Sequence, residues 1–477
     1  YKNMIELSTV GLVLYELLVV AAIVHVLMDN RQPDRTIAWA LIIFFVPFAG
    51  IIFYLFFGVN TRKERLISKR SMDKLTKSSM LSFVEQRNLK VDKRHRQLVD
   101  LYVNQDLSLP FKDNKTDIFT SGEAFFQSLI NDISHAKHHI HIDMYIWEDD
   151  TIGNKVADAL IARAKEGVAV RVVYDDVGCW RVPQRFFSRM SREGISVQSF
   201  MPVRFPTLTR RVNYRNHRKV IVIDGQVGYI GGMNIADRYV HGIGDQEWRD
   251  TMLRIVGGAV YGLQRTFLID WYFVSRTLIT DSDYYPPVKL QQPNDCVAQV
   301  VTSSPAADFP NIMQGYVRII MEAKNYVYIQ TPYFMPNEPV LFALKTAALG
   351  GVDVRIMVPE RCDAFFVEWA SRSYLREVVE AGVKVYLYRA GFLHSKTLIC
   401  DDSIVACGST NVDFRSFENN FEANIFIYNE VEALRHKNIF LDDQRHSISL
   451  RRIKKRMRPP FLIHFWESVV RLFSPLM

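Results

Sequence analysis

Two stretches of the chain carry side chains able to work on a phosphodiester. The first, NHRKVIVIDG from Asn216 to Gly225, contains His217, Lys219 and Asp224. The second, LHSKTLICDD, lies 177 residues later and repeats the spacing with His394, Lys396 and Asp401. The likeness runs on past the aspartate: Gly231, Gly232 and Asn234 match Gly408, Ser409 and Asn411. An imidazole beside an ammonium suits phosphate chemistry, because the cation neutralises non-bridging oxygens while the imidazole attacks phosphorus or moves protons. The amides of Asn234 and Asn411, in small-residue turns, are placed to reach a phosphate oxygen. A histidine in this role needs a carboxylate to set its tautomer and support developing charge. Each half offers one at a strand start after the asparagine: Asp250 in WRDTMLRI and Glu422 in NNFEANIFI. The candidate catalytic set is therefore His217, Lys219, Asp224 and Asp250 with His394, Lys396, Asp401 and Glu422. Within it Asp224 opens a DG turn an odd number of positions from Lys219, which favours capping a strand over touching substrate.

One chemical task wants the set twice. Phosphodiester exchange through a covalent intermediate uses one histidine to attack phosphorus and another to protonate the leaving alcohol, then to deprotonate the incoming one. A single His-x-Lys on a strand is unremarkable; two complete sets inside duplicated domains are not.

The elements that must hold these residues repeat as well. The apolar run after each lysine marks a strand, where side chains two apart share a face, so His217 and Lys219 point the same way, as do His394 and Lys396. Upstream, GEAFFQSLINDISHAK has helical periodicity, HIHIDMYIW reads as a strand, GNKVADALIARAKEG as a helix and VAVRVVYDD as a strand. The second half replays the order with a helix to Lys324, YVYIQTPYF, a helix to Gly351 and VDVRIMVPE. The fold class is α/β: two duplicated domains of alternating helices and strands at 111–290 and 291–445.

The flanks differ in kind. Val10 to Met28 is largely apolar, and Ile37 to Gly58 is 22 residues without a charge, long enough for a membrane span of about 20 residues. With DNRQPDR between them, 1–60 is expected to be a transmembrane helical hairpin. Between Arg62 and Arg96 twelve Lys/Arg face four Asp/Glu, so 61–110 reads as a basic juxtamembrane linker. Basic residues stay inside, which places everything after Gly58 on the cytoplasmic side. At the other end, 446–477 combines RRIKKRMR with a helix carrying Leu462, Phe465, Trp466, Val469, Val470 and Phe473 on one face. Such a helix fits an anionic membrane surface, with packing on the catalytic body as the competing role. The net charge of +8 is thus concentrated outside a slightly acidic core, which argues for a polyanionic surface at two places and against nucleic acid. Five scattered cysteines suggest a reducing compartment without disulfides.

The two motif sets resemble the phospholipase D superfamily, whose signature His-x-Lys-x4-Asp-x6-Gly-[Gly/Ser]-x-Asn is matched twice without a gap. NYRNHRKVIVIDG, GGMNIAD, EWRDTMLRI, FLHSKTLICDD and DFRSFENNFEANIFIY behind an apolar hairpin more narrowly resemble bacterial cardiolipin synthases. The resemblance implies two α/β/α sandwich domains related by a pseudo-two-fold axis, with one site between them. It implies that two phosphatidylglycerols become cardiolipin and glycerol, with no cofactor and no metal. His217 and His394 would be nucleophile and acid/base, with His217 favoured as nucleophile. Lys219, Lys396, Asn234 and Asn411 would hold the phosphate, and Asp250 and Glu422 would orient the histidines. The partners implied are phosphatidylglycerol and anionic lipids of the bacterial inner membrane. A membrane-tethered phosphodiesterase using water or another alcohol is the alternative.

Other features are weaker. His135, His138, His139 and His141 straddle a helix end and a strand start and do not converge as metal ligands. Asp175 and Asp176 end a strand and suit a turn better than a cation or headgroup. Tyr145 and Tyr333 fall at matching places in the repeat, where strand aromatics are mostly core.

Overall fold

The computed structural model describes residues 2–28, 33–58, 81–203, 213–244, 246–288, 290 and 294–476. Two sheets dominate it. The first has seven strands in the order Asn114–Phe119, Met252–Gly257, Val227–Gly231, Lys219–Ile223, His139–Met144, Ala169–Asp175, Ser196–Phe200. The second places its matching strands in the same order: Val297–Ser303, Glu422–Tyr428, Ile404–Gly408, Thr397–Cys400, Tyr326–Gln330, Asp353–Pro359, Lys384–Tyr388. In each, the strand after the His-x-Lys pair lies antiparallel to the first strand of a parallel helix-connected run. Each parallel crossover uses a helix, as such connections require.

The duplicated halves each form α/β/α layers. Helices Gly122–Ser134, Thr151–Lys165 and Gln184–Arg192 cover the outer face of the first sheet through Phe125, Leu129, Val156, Leu160 and Phe186. Asn311–Glu322, Glu338–Leu349 and Phe365–Glu380 do the same for the second. The inner faces share one core, in which Val220, Val222, Ile230 and Leu253 meet Val300, Ile399, Val405 and Ile425. Helices Val260–Ser275 and Glu430–Arg445 complete this middle layer. Burial of both halves in a common core holds the two His-x-Lys strands in a fixed mutual position.

Three boundaries depart from the sequence expectations. The stretch 61–110 is not all linker: Lys93–Asp106 is a helix capped by Asp92, and its Leu98, Val99, Tyr102 and Val103 pack into the second half's core. Pro110–Phe111 adds an edge strand to the second sheet, and Ser447–Ser449 adds one at the opposite edge. The apolar segment 37–58 is divided, with Pro33–Phe45 ending before Pro47 and a short helix Pro47–Phe53 passing into a wider turn at Tyr54–Gly58. Pro47 has no N–H to continue the ladder and its ring disfavours the helical conformation at Val46, which explains the break. Lys2–Met28 and Pro33–Phe45 pack together around Val26, Ile43, Tyr54 and Trp39. Among the described residues no helix is long and apolar enough to cross a membrane. The connection at 29–32 and the basic stretch from 59 to 80, on which the expected hairpin orientation rests, lie outside the described residues.

Candidate active site

The strands begin within the motifs and not at the histidines: Lys219 opens its strand, and Thr397, after Lys396, opens the other. Each histidine sits just upstream and is tied to the opposite half. His217 N donates to Phe421 O at 2.9 Å, and His394 N donates to Arg249 O at 2.7 Å. In both cases the acceptor directly precedes the candidate carboxylate, so the two contacts are related by the pseudo-two-fold axis. A short parallel pairing of Gly391–Leu393 with Glu247–Arg249 reinforces one crossing. A bridge between Asn216 and Phe421 reinforces the other.

The carboxylates are therefore exchanged between halves. His217 Nδ1 lies 3.0 and 3.1 Å from the two oxygens of Glu422, and His394 Nδ1 lies 2.7 Å from Asp250 Oδ2. Neither Nε2 is engaged by another described residue, and each ring keeps a sliver of exposure, 8% for His217 and 7% for His394. Lys219 and Lys396 are buried outright. Lys219 Nζ donates to His217 O at 2.6 Å and sits 5.0 Å from the centre of the Tyr145 ring, which is edge-on to His217. Lys396 Nζ bonds to His394 O and also lies 2.8 Å from His394 Nδ1 and 3.8 Å from Asp250.

Burial governs the protonation of this set. It pulls His217 down to about 4 despite Glu422 alongside, and with Lys396 beside it pulls His394 to about 3. Lys219 falls to about 7 through burial and repulsion from Lys396, and Lys396 falls to about 8 through burial. The crossed histidine–carboxylate contacts bring both motif sets to the seam between the halves. Burial works to raise Asp250 and Glu422, but the surrounding Lys396 and His394, and His217 and Lys219, hold both below the usual carboxylate range. The site thus carries two carboxylates, two neutral imidazoles and two lysines poised to gain full charge beside an anion.

The Gly-[Gly/Ser] step of the motif has a structural reason. A Cβ at Gly232 would stand 2.1 Å from Asp250 Oδ1, so the position must stay bare for that carboxylate to reach His394. At the matching place Ser409 offers its hydroxyl to Glu422 Oε2, and Asn420 Nδ2 donates to Glu422 Oε1 at 3.3 Å.

The remaining sequence candidates divide. Asp224 and Asp401, grouped above with the catalytic residues, are at the far ends of the strands, some five residues or about 16 Å from the lysines. Asp224 accepts from Lys137, His138 and His139 N at 2.8 to 3.0 Å, and Asp401 accepts from Lys324, Asn325 and Tyr326 N at 2.6 to 2.8 Å. Both have positive φ; they fasten the start of the neighbouring strand and do not meet the histidines. Asn234 spends its amide on Ile146 N and the Tyr239 hydroxyl. Asn411 is buried with Oδ1 unpaired among the described residues. Asp175 forms a turn with Val177 and Gly178 and also accepts from Asn216 N, beside His217. His139 and His141 share Gln264, and Arg171 donates to His141. Strand register pairs Tyr333 with Ile146 and not with Tyr145, because Trp147 bridges Ile235 where Phe334 pairs with Val412.

Some residues at the site were not singled out by sequence. Trp248 stands 5.5 Å from His394. Arg218 binds Asp270, Glu422 O and Ser303 O, while Asn216 Nδ2 donates to Asp143 at 2.8 Å. The only hint was that Asn216 and Arg218 flank a motif histidine.

The buried histidine pair with exchanged carboxylates stands on duplicated sheets, shared between two like halves. A family model described as "Cardiolipin synthase, PLD-like domain" matches residues 129–260 and 316–444, and one described as "Phospholipase D-nuclease N-terminal" matches 17–58. The chain belongs to the cardiolipin synthase family. It is 40% identical over 467 residues to a cardiolipin synthase of Oceanobacillus iheyensis, covering 96% of each chain. It is 38% identical over 486 residues to the major cardiolipin synthase of Bacillus subtilis, covering 99% of this chain and 100% of that one. In fold it is similar to the crystal structure of phosphatidylserine synthase from Haemophilus influenzae, with a TM-score of 0.61 at 17% identity over 80% of this chain and 98% of that one.

Proposed function

We propose that the chain makes cardiolipin, moving the phosphatidyl group of one phosphatidylglycerol onto a glycerol hydroxyl of a second. The observation that carries this reading is the crossed arrangement, in which each Nδ1 is held by a buried carboxylate and each Nε2 is left for the substrate. His217 Nε2 attacks phosphorus, and the bond to the glycerol oxygen breaks as His394 Nε2 gives that oxygen a proton. The second phosphatidylglycerol loses its hydroxyl proton to His394 and attacks the phosphatidyl-histidine, freeing His217. Lys219 and Lys396 balance the phosphate oxygens throughout.

His217 is assigned as nucleophile from an asymmetry between the halves. Its Nδ1 meets only Glu422, which fixes the proton there and leaves a lone pair on Nε2. His394 Nδ1 meets Asp250 while the Lys396 ammonium lies 2.8 Å away, a neighbouring cation that makes the protonated ring the stronger acid.

The family relationship at full length favours a lipid acceptor over water. We place the N-terminal hairpin in the bilayer, where the outward-facing Leu17, Leu18, Phe44, Phe45 and Phe48 would meet lipid, and the catalytic halves on the cytoplasmic side. Purified protein given labelled phosphatidylglycerol in lipid–detergent micelles should yield cardiolipin and glycerol in equal amounts by mass spectrometry. Phosphatidic acid without cardiolipin would instead establish hydrolysis.

A further inference from the structure

The helix Phe461–Arg471 is amphipathic in an inverted sense. Its charged side faces the protein: Glu467, 2% exposed, pairs with Arg376 at 2.5 Å, and Arg471 bonds Glu377 at 2.7 Å and lies 4.0 Å above the Tyr374 ring. Val470 is the one apolar side chain of this helix buried alongside them. The rings face outward. Phe461 and Leu462 are 80% and 77% exposed, and Phe465, Trp466, Leu472 and Phe473 extend the patch. An exposed apolar surface of this size marks an interaction site.

Its position and its flanking charge say what covers it. The basic run that precedes it exposes Arg451, Arg452, Lys454, Lys455 and Arg458. Arg456 from the same run donates to Glu360 O at 3.3 Å, in the turn that follows Asp353–Pro359. That turn belongs to the mouth of the site: its Asp363 accepts from the Tyr333 hydroxyl at 2.8 Å, and the Tyr333 ring stands edge-on to His394. It continues into Phe365 and Phe366, both exposed, at the start of the very helix on which Phe461–Arg471 rests. In the first half the corresponding turn after Ala169–Asp175 carries Trp180, 72% exposed, two residues past the Gly178 that packs against Tyr145. Rings therefore flank the cleft on both sides, and cations border the apolar patch on one of them.

We propose that this surface docks on an anionic phospholipid bilayer, with the outer face of Phe461–Arg471 and Phe365–Phe366 among the acyl chains and the basic run at the phosphates. Docked this way, the mouth of the site lies at headgroup depth, where a lipid reaches the histidines without leaving the membrane. The inference deepens the proposed function and rests on it for its purpose, although its test does not depend on turnover.

The test uses full-length protein in vesicles of phosphatidylglycerol and phosphatidylcholine whose chains carry bromine, a short-range quencher of indole emission. The emission of Trp466 is obtained as the difference between wild type and W466F. The proposal expects that component to be quenched by the brominated chains and shielded from aqueous iodide. Emission blind to the brominated chains overturns it, whether iodide reaches the ring, as on a free surface, or does not, as under a protein or a second copy. A second measurement uses F461S/L462S, which alters only exposed side chains. Turnover of long-chain phosphatidylglycerol in vesicles should fall at least about tenfold while turnover of a short-chain form dissolved as monomers is kept. Equal turnover of the vesicle substrate by variant and wild type overturns the proposal. Absence of turnover in the wild type would count against the proposed reaction and leave the quenching result to decide the docking.

Discussion

Replacing Glu422 by glutamine separates the electrostatic duty of this side chain from its shape. As His217 attacks phosphorus, its ring becomes cationic, and the carboxylate 3.0 Å from Nδ1 is the group that stabilises that charge. With charge centres about 4 Å apart and an effective dielectric constant near 20, the interaction is worth about 4 kcal/mol. At about 1.4 kcal/mol per factor of ten, its loss should slow the chemical step on the order of 10³-fold. Glutamine keeps the volume and a hydrogen-bonding oxygen, so the fold should persist. The assay is single-turnover conversion of labelled phosphatidylglycerol, with glycerol release timed by mass spectrometry. Combined with Asp250→Asn, the two losses should multiply, because the carboxylates serve different histidines in the same transition state. E422Q within roughly threefold of wild-type rate would refute the reasoning, and a double variant no slower than either single would refute separate duties for the two carboxylates.

Gly232→Ala should cost at least about 10² in turnover with little change in melting temperature, since the new methyl pushes Asp250 off His394; assay of the purified variant decides. Asp401→Ala should behave oppositely, losing about 2 kcal/mol of stability by denaturant titration while turnover per folded molecule stays within about threefold, because three backbone N–H groups lose their acceptor. As pH rises through the values of Lys219 and Lys396, about 7 and about 8, kcat/KM should fall with the loss of the cations that receive phosphate. The same depressed values mean that the unfolded lysines bind protons the folded ones release, so these groups add stability with rising pH between about 7 and 10.5, visible in a melting-temperature series. Arg376→Met should leave Glu467 unpaired and weaken docking of the C-terminal helix by about 3 kcal/mol, read as faster hydrogen exchange across 461–471.

The chemistry was far more legible in the chain than its wiring. A repeated spacing reveals His217, Lys219, His394 and Lys396 because strand geometry is local, and the carboxylates stand out as acids at the head of apolar runs. Spacing carries no information about which copy meets which. The crossed pairs depend on two sheets sharing one core, a long-range packing outcome. The aspartates of the motif illustrate the converse: regular spacing grouped Asp224 and Asp401 with the reaction, and only the DG turn at Asp224 pointed to a cap, since a fixed spacing serves equally to pin a strand start. For Phe461–Arg471, periodicity sorted residues onto two faces without saying which faces inward; Arg376 and Glu377 on a distant helix settled that in favour of the ions. The helix Lys93–Asp106 was hidden in a stretch dominated by charge, since only four of its side chains are buried.

The exchange of carboxylates also bears on how such a protein could arise. An ancestor with one repeat would have held an imidazole whose supporting acid pointed away from it, so it could react only as a pair of identical chains. Fusing two copies would make that partnership permanent and leave each copy free to change except where the other depends on it. The substitution of aspartate and glycine on one side for glutamate and serine on the other is the kind of divergence such mutual dependence allows.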